Sequence, residues 1–125
     1  MRLARARQLE GPELGAYKHI SQVLTSRVQL VRVPWLPNGA DGLTIGKRVL
    51  VKREVDPSKT KKLIAHELVH VRQWAEYGVV GFLARYVFHY LRNLIKYRKH
   101  YTAYLEIPFE IEARAEAEQW SEARA

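Results

Sequence analysis

Apolar positions follow two different periods along this chain, and the change between them falls near residue 56. From Pro12 onward, Leu14, Tyr17, Ile20 and Leu24 recur at helical spacing, with proline in the first turn, where its missing N–H does no harm. They predict a first helix, weakly interrupted by Gly15. Val28, Leu30, Val31 and Val33 then make a strand-like run ended by Pro34, and Pro37 to Gly42 is dense in turn residues. Leu43–Ile45 and Val49–Val51 flank Gly46-Lys47-Arg48, which reads as a short hairpin. Beyond it the period is helical. Asp56-Pro57-Ser58 supplies a cap and a proline at the first helical position, and Leu63, Ile64, Val69, Val71 and Trp74 follow in a segment expected to end near Gly78. A further helix is predicted from about Val79 to Lys99, and a last one begins near Pro108 in an Ala- and Glu-rich stretch.

The expected fold class is therefore α+β, with a small antiparallel sheet or hairpin followed by three helices. All of 1–125 reads as one unit: an amino-terminal helix and strand over 1–40, a hairpin over 41–55, and helices over 56–77, 79–100 and 108–124. A length of 125 residues with 47% hydrophobic and 27% charged side chains suits one domain and excludes both disorder and a fibrous repeat. The chain has no cysteine, so disulfides, thiol catalysis and iron–sulfur clusters are excluded and any metal must be held by His and carboxylates. The basic start, Met1 to Arg7, lacks the apolar stretch of an export signal. The most apolar run, Tyr77 to Ile95, is cut by Arg85 and Arg92, which argues against a transmembrane helix. A cytoplasmic setting is the expectation.

Net charge is +8 and unevenly placed: residues 1–100 hold 19 basic and 7 acidic side chains, residues 101–125 hold 2 and 6. The acidic tail is expected to lie against the basic body.

Chemistry concentrates in His66-Glu67-Leu68-Val69-His70, an HExxH pattern inside a predicted helix. Imidazoles four residues apart lie one turn apart on one face and can reach one cation, while the Glu is angled toward a water on it. By average residue frequencies such a match arises by chance in only a few per thousand chains of this length, roughly. A catalytic zinc site usually takes three protein ligands. Positions 73 and 76 are Gln73 and Glu76, not the Gly and His of the metzincin pattern, and Glu76 points about 240° around the helix from His70. In the last helix Glu110 shares a face with Ala113, Ala117 and Trp120, whereas Glu112 falls with Glu116 and Gln119. Small residues at 113 and 117 let that helix approach closely, which makes Glu110 the leading third ligand. Glu112 and Glu106 are the alternatives, and Glu112, Glu116, Glu118 and Glu122 otherwise read as a solvated acidic face.

His66-Glu67-Leu68-Val69-His70 followed forty residues later by Glu110-x-x-Ala113 resembles the gluzincin branch of the zincin metallopeptidases. In size and strand-before-helix order the chain is most similar to minigluzincins, and its HExxHxxQ form, with Gln73, also resembles short HExxH domains of bacteria. The resemblance covers roughly residues 44–117. It implies a minimal zincin-like domain in which His66, His70 and Glu110 bind Zn2+ and Glu67 is the general base toward peptide or protein substrates. Where such families often have Asp or Asn after ExxA, this chain has Arg114. An oxyanion donor is also required, for which Tyr101, Tyr104, His100 and Arg114 are candidates. The Leu43 to Val51 hairpin can offer an edge for a peptide strand, or simply roof the helices.

In the 79–100 segment Arg85, His89, Arg92, Lys96 and Lys99 form one polar stripe flanked by Phe82, Tyr86, Tyr90, Leu94 and Tyr97. The plain expectation is a core helix with a solvated face; the functional one is an anionic membrane surface met through Arg85, Arg92 and Lys96. Nucleic acid has only charge and tyrosine content in its favour. Three functions follow: a zinc metallopeptidase, a zinc-binding module with latent or no peptidase activity, and a basic adaptor for membrane or nucleic acid.

Overall fold

The computed structural model describes residues 5–124; residues 1–4, which begin the basic amino-terminal stretch, and residue 125 lie outside it. The fold is small and α+β. Strands β1 (Arg5–Gln8), β2 (Gln29–Val33), β3 (Gly42–Ile45) and β4 (Arg48–Lys52) form one sheet in the order β1-β2-β4-β3. Helices α1 (Pro12–Ala16) and α2 (Gln22–Thr25) lie between β1 and β2, and α3 (Pro57–Tyr97), α4 (His100–Leu105) and α5 (Pro108–Arg124) complete the chain.

The sheet is mixed, not wholly antiparallel as expected. β3 and β4 form the anticipated hairpin, but β2 runs parallel to β4, with Leu30 opposite Val49 and Val31 opposite Leu50. The physical reason is burial: Val49 and Val51 are fully buried, so β4 takes an interior position and β3 is turned out to the edge. β1 was not anticipated, because Arg5-Ala6-Arg7-Gln8 has no apolar alternation; its backbone pairing with β2 defines it.

The single amino-terminal helix expected from Pro12 to Leu24 is instead two short helices. Tyr17 interrupts them with non-helical φ −100° and ψ 71°. Its ring stacks on Trp120 with centroids 5.2 Å apart, and Trp120 Nε1 donates to the Ala16 carbonyl at 2.9 Å. Packing against a distant aromatic thus overrides local helical spacing.

α3 begins where the cap predicted it, with Asp56 Oδ1 accepting from the Ser58 N–H at 3.0 Å and Pro57 in the first turn. Ile64, Ala65, Leu68, Val69 and Val71 join Val28, Leu30, Val49 and Val51 of the sheet region in one core with Ala113, Ala117 and Trp120 of α5. The two helices expected on either side of Gly78 are continuous except at that residue, whose φ of 72° and ψ of 171° are non-helical. Glycine alone adopts this conformation without large strain. A sharp break therefore divides α3 into a first arm carrying the HExxH residues and a second arm beginning at Val79. α4 was not anticipated; it packs on the second arm, with Asn93 Nδ2 donating to the Ala103 carbonyl at 3.1 Å. The acidic α5 does meet the basic body: Arg72 pairs with Glu112 and Glu116, and Lys62 with Glu118. Among the described residues no helix is long and apolar enough to cross a membrane.

Candidate metal centre

His66 and His70 project from the first arm of α3 on one face, with ring centroids 5.1 Å apart and planes at 75°. Glu110 reaches them from the first turn of α5, and the approach is close because Ala113 and Ala117, on the same buried face, carry no bulk. Glu110 Oε1 lies 3.2 Å from His66 Nε2 and 3.0 Å from His70 Nε2. Together the three residues form a group able to hold a metal ion. Glu106 and Glu112 are not members of it.

Two features test whether these side chains suit a cation. Donors each about 2.0–2.1 Å from a tetrahedral zinc lie about 3.3 Å from one another, close to the two separations found. The second feature is the direction of the hydrogen bonds. Gln73 Nε2 donates to the Phe109 carbonyl at 3.1 Å and to Glu112 Oε1 at 2.8 Å. Its Oε1 must then be the atom 2.7 Å from His70 Nδ1, so Nδ1 carries the proton. Neutral His70 consequently turns the lone pair of Nε2 toward a carboxylate oxygen at 3.0 Å. Two acceptors at that distance repel unless a proton or a metal lies between them.

Without metal, the proton is favoured strongly. Burial alone would depress the His70 pKa, but the hydrogen bond and charge of Glu110 overcome it and raise the value to about 9. Burial pushes the Glu110 carboxyl up, while hydrogen bonds from His66, His70 and Tyr86 outweigh it and hold the group well below the usual carboxylate range. Tyr86 donates to Glu110 Oε2 at 2.6 Å, and Tyr104 donates to Oε1 at 3.3 Å. Burial, followed by the charge of Glu110, raises both phenols, which keeps them as donors.

Glu67 is buried on the side facing β3. Thr44 Oγ1 lies 2.8 Å from its Oε1, and its Oε2 lies 3.9 Å from His66 Nε2. A Cβ at Gly42 would come within 3.1 Å of Glu67 Oε2 and 3.0 Å of Leu63 Cδ1, so this part of the edge strand approaches the carboxylate as closely as glycine allows.

His66, Glu67, His70 and Glu110 are thus brought together as expected. Of the other candidates only Tyr104 touches the centre. Tyr101 is exposed, His100 is paired with Tyr90, and Arg114 donates to the Leu105 carbonyl. Glu112 is not part of a merely solvated acidic face, since it accepts from Gln73 and Arg72. Sequence reasoning missed Tyr86, Thr44 and the orienting task of Gln73. The last had a local signal, three residues beyond His70 on one helical face. Tyr86 had only an indirect one, the glycine at which the helix turns.

A family model described as the eCIS core domain matches residues 37–78, about a third of the chain. The matched stretch takes in the hairpin and the HExxH arm, stops at the break, and leaves Glu110 outside. No curated protein and no solved structure matches the chain.

Proposed function

We propose that the chain is a zinc-dependent metallopeptidase in which His66, His70 and Glu110 hold the ion and Glu67 is the general base. The observation that carries this reading is the convergence of two imidazole nitrogens and a buried carboxylate, with a second carboxylate beside them. A structural zinc site needs no such base. Zinc held there would supply Lewis acidity, polarising a carbonyl and making water a stronger acid.

The chain's own residues account for the rest. Thr44 fixes one oxygen of Glu67, so Oε2 is the atom available to accept a proton from water and pass it to the leaving amine. Gln73 fixes the His70 tautomer, and Tyr86 locks the far oxygen of Glu110. Tyr104, whose bond to Glu110 is the longer of the two tyrosine bonds, is the hydroxyl best able to turn toward a developing oxyanion. β3, at the sheet edge beside Glu67, offers main-chain groups to an extended peptide.

A second reading is favoured by the cover over Glu67, which is only 5% exposed: a metal-binding module whose peptidase activity is latent or absent. Metal analysis and peptide cleavage separate the two. His66→Ala, His70→Ala and Glu110→Ala should lose zinc; Glu67→Gln should keep it and lose cleavage. Stoichiometric zinc with no cleavage of a broad peptide library by the wild-type chain would overturn the peptidase reading and leave the second.

A further inference from the structure

The second arm of α3 was expected to bury its apolar side and expose a basic one. It buries only part of it. Phe82, Tyr86, Asn93 and Tyr97 turn toward the body, but Val80, Leu83, Val87, Phe88, Leu91 and Ile95 are exposed, Leu83 least at 45% and Val80 most at 80%. In helical projection these six, with Ala84 among them, cover a continuous sector of roughly 140° along about 22 Å of helix. Arg92, Arg85 and Lys96 border that sector along one side, and the packed face of the arm borders the other.

We infer that this stripe is a docking surface for an anionic lipid bilayer, on which the arm lies in the interfacial plane with Val87 and Leu91 immersed and Arg85, Arg92 and Lys96 at the headgroups. Three observations select this occupant. The sector is wider than the two-per-heptad seam that a single partner helix requires. Charge is one-signed: residues 77–105 contain no Asp or Glu and five Lys or Arg, as a negatively charged surface selects. Among the described residues no helix is long and apolar enough to cross a membrane, so the arm would rest on the surface and not span it. The metal centre lies on the opposite, packed side of the arm, and the inference is independent of whether that centre cleaves peptides.

The test is sedimentation of the full chain with vesicles of phosphatidylcholine alone or mixed with phosphatidylserine. Binding is expected only to the anionic vesicles. Arg92→Gln with Lys96→Gln should weaken it roughly 25-fold, about fivefold per charge. Val87→Glu with Leu91→Glu should weaken it by more than about tenfold while zinc content and circular dichroism stay at wild-type values. Since the chain has no cysteine, Leu91→Cys labelled with an environment-sensitive fluorophore gives a second readout with the face left apolar, and a blue shift on anionic vesicles is expected. No binding, binding that survives Val87→Glu with Leu91→Glu, or no shift of the label would overturn the inference. So would self-association in the absence of lipid that Leu91→Glu abolishes, since a second copy would then cover the stripe; likewise lipid-independent capture of an acidic helical peptide by the same face.

Discussion

Replacing Gln73 by Met removes both polar ends of one buried side chain while keeping its length and its helical tolerance. The His70 Nδ1–H, 2.7 Å from Gln73 Oε1, then loses its partner, while the Phe109 carbonyl, 3.1 Å from Nε2, loses a side-chain donor but keeps its place in the α5 backbone ladder. Glu112 loses a donor too but retains Arg72. An orphaned buried polar group costs about 1–3 kcal/mol, so the metal-free variant should be less stable by about that amount. Zinc affinity should fall further, by roughly 10–100-fold, because His70 is free to rotate or to adopt the tautomer whose lone pair is on the wrong nitrogen. Urea denaturation in chelator measures the first quantity, and competition with a chromophoric chelator measures the second. Gln73→Glu provides the control: its carboxylate can still accept from Nδ1–H, so affinity should recover in part, whereas stability should not, because the donor to Phe109 is gone and Glu112 now faces a like charge. Wild-type zinc affinity in Gln73→Met would refute the orienting role.

Zinc binding should be strongly pH-dependent. In the metal-free protein the His70 pKa is raised to about 9, so its contribution to stability is fully present below the ordinary imidazole value of 6.5 and is lost as pH rises through about 9. Glu110 has the opposite sign, stabilising above 4.5 and losing that contribution as acid protonates it below its depressed folded-state value. Zinc must displace the His70 proton, so affinity should rise about tenfold per pH unit between 6.5 and 9, with about one proton released per ion near pH 7 by calorimetry in buffers of different ionisation enthalpy; a flat profile contradicts the assignment. Gly42→Val should push on Glu67 and Leu63, retaining zinc while lowering any cleavage at least tenfold, and unchanged turnover would show that Glu67 does not need its present position. Gly78→Ala, at φ 72° and ψ 171°, should cost about 1–3 kcal/mol in thermal unfolding and weaken zinc binding, since the second arm carries Tyr86; a neutral effect would mean that the break is not required. Chelator should lower the melting temperature of the loaded wild-type protein but not that of His70→Ala.

Much of the site was legible because it depends on local spacing. His66, Glu67 and His70 share one helix, and Glu110 is marked by the small residues at 113 and 117 that let two helices touch. The elements that escaped depend on contacts between distant parts of the chain. β1 exists through pairing with β2, and the amino-terminal helix breaks because Trp120, more than a hundred residues away, captures Ala16 and Tyr17. Tyr86 looked like one more apolar flank because its hydroxyl partner is reached only after the helix turns at Gly78. The exposed stripe escaped for the complementary reason: periodicity shows which residues share a face, but not whether anything covers it.

Charge balance gives the centre a requirement that the motif alone does not state. At formal charge, Glu67 and Glu110 bring two negative units into a volume where both side chains are almost fully buried. The partners described for them are a threonine, two imidazoles and two phenols, none of which is cationic while the histidines are neutral. Burial of uncompensated carboxylates is costly. A proton on His70 cancels one unit and leaves the other; a divalent ion held by His66, His70 and Glu110 would cancel both and would also relieve the repulsion of facing lone pairs. The stability of the first arm of α3 against α5 should therefore depend on the ion more than on any single hydrogen bond in the centre. Amide exchange separates these contributions: protection of Leu68, Val69 and Ala113 should rise together when zinc is added, whereas protection confined to His66 and His70 would mean that the ion orders only its own ligands.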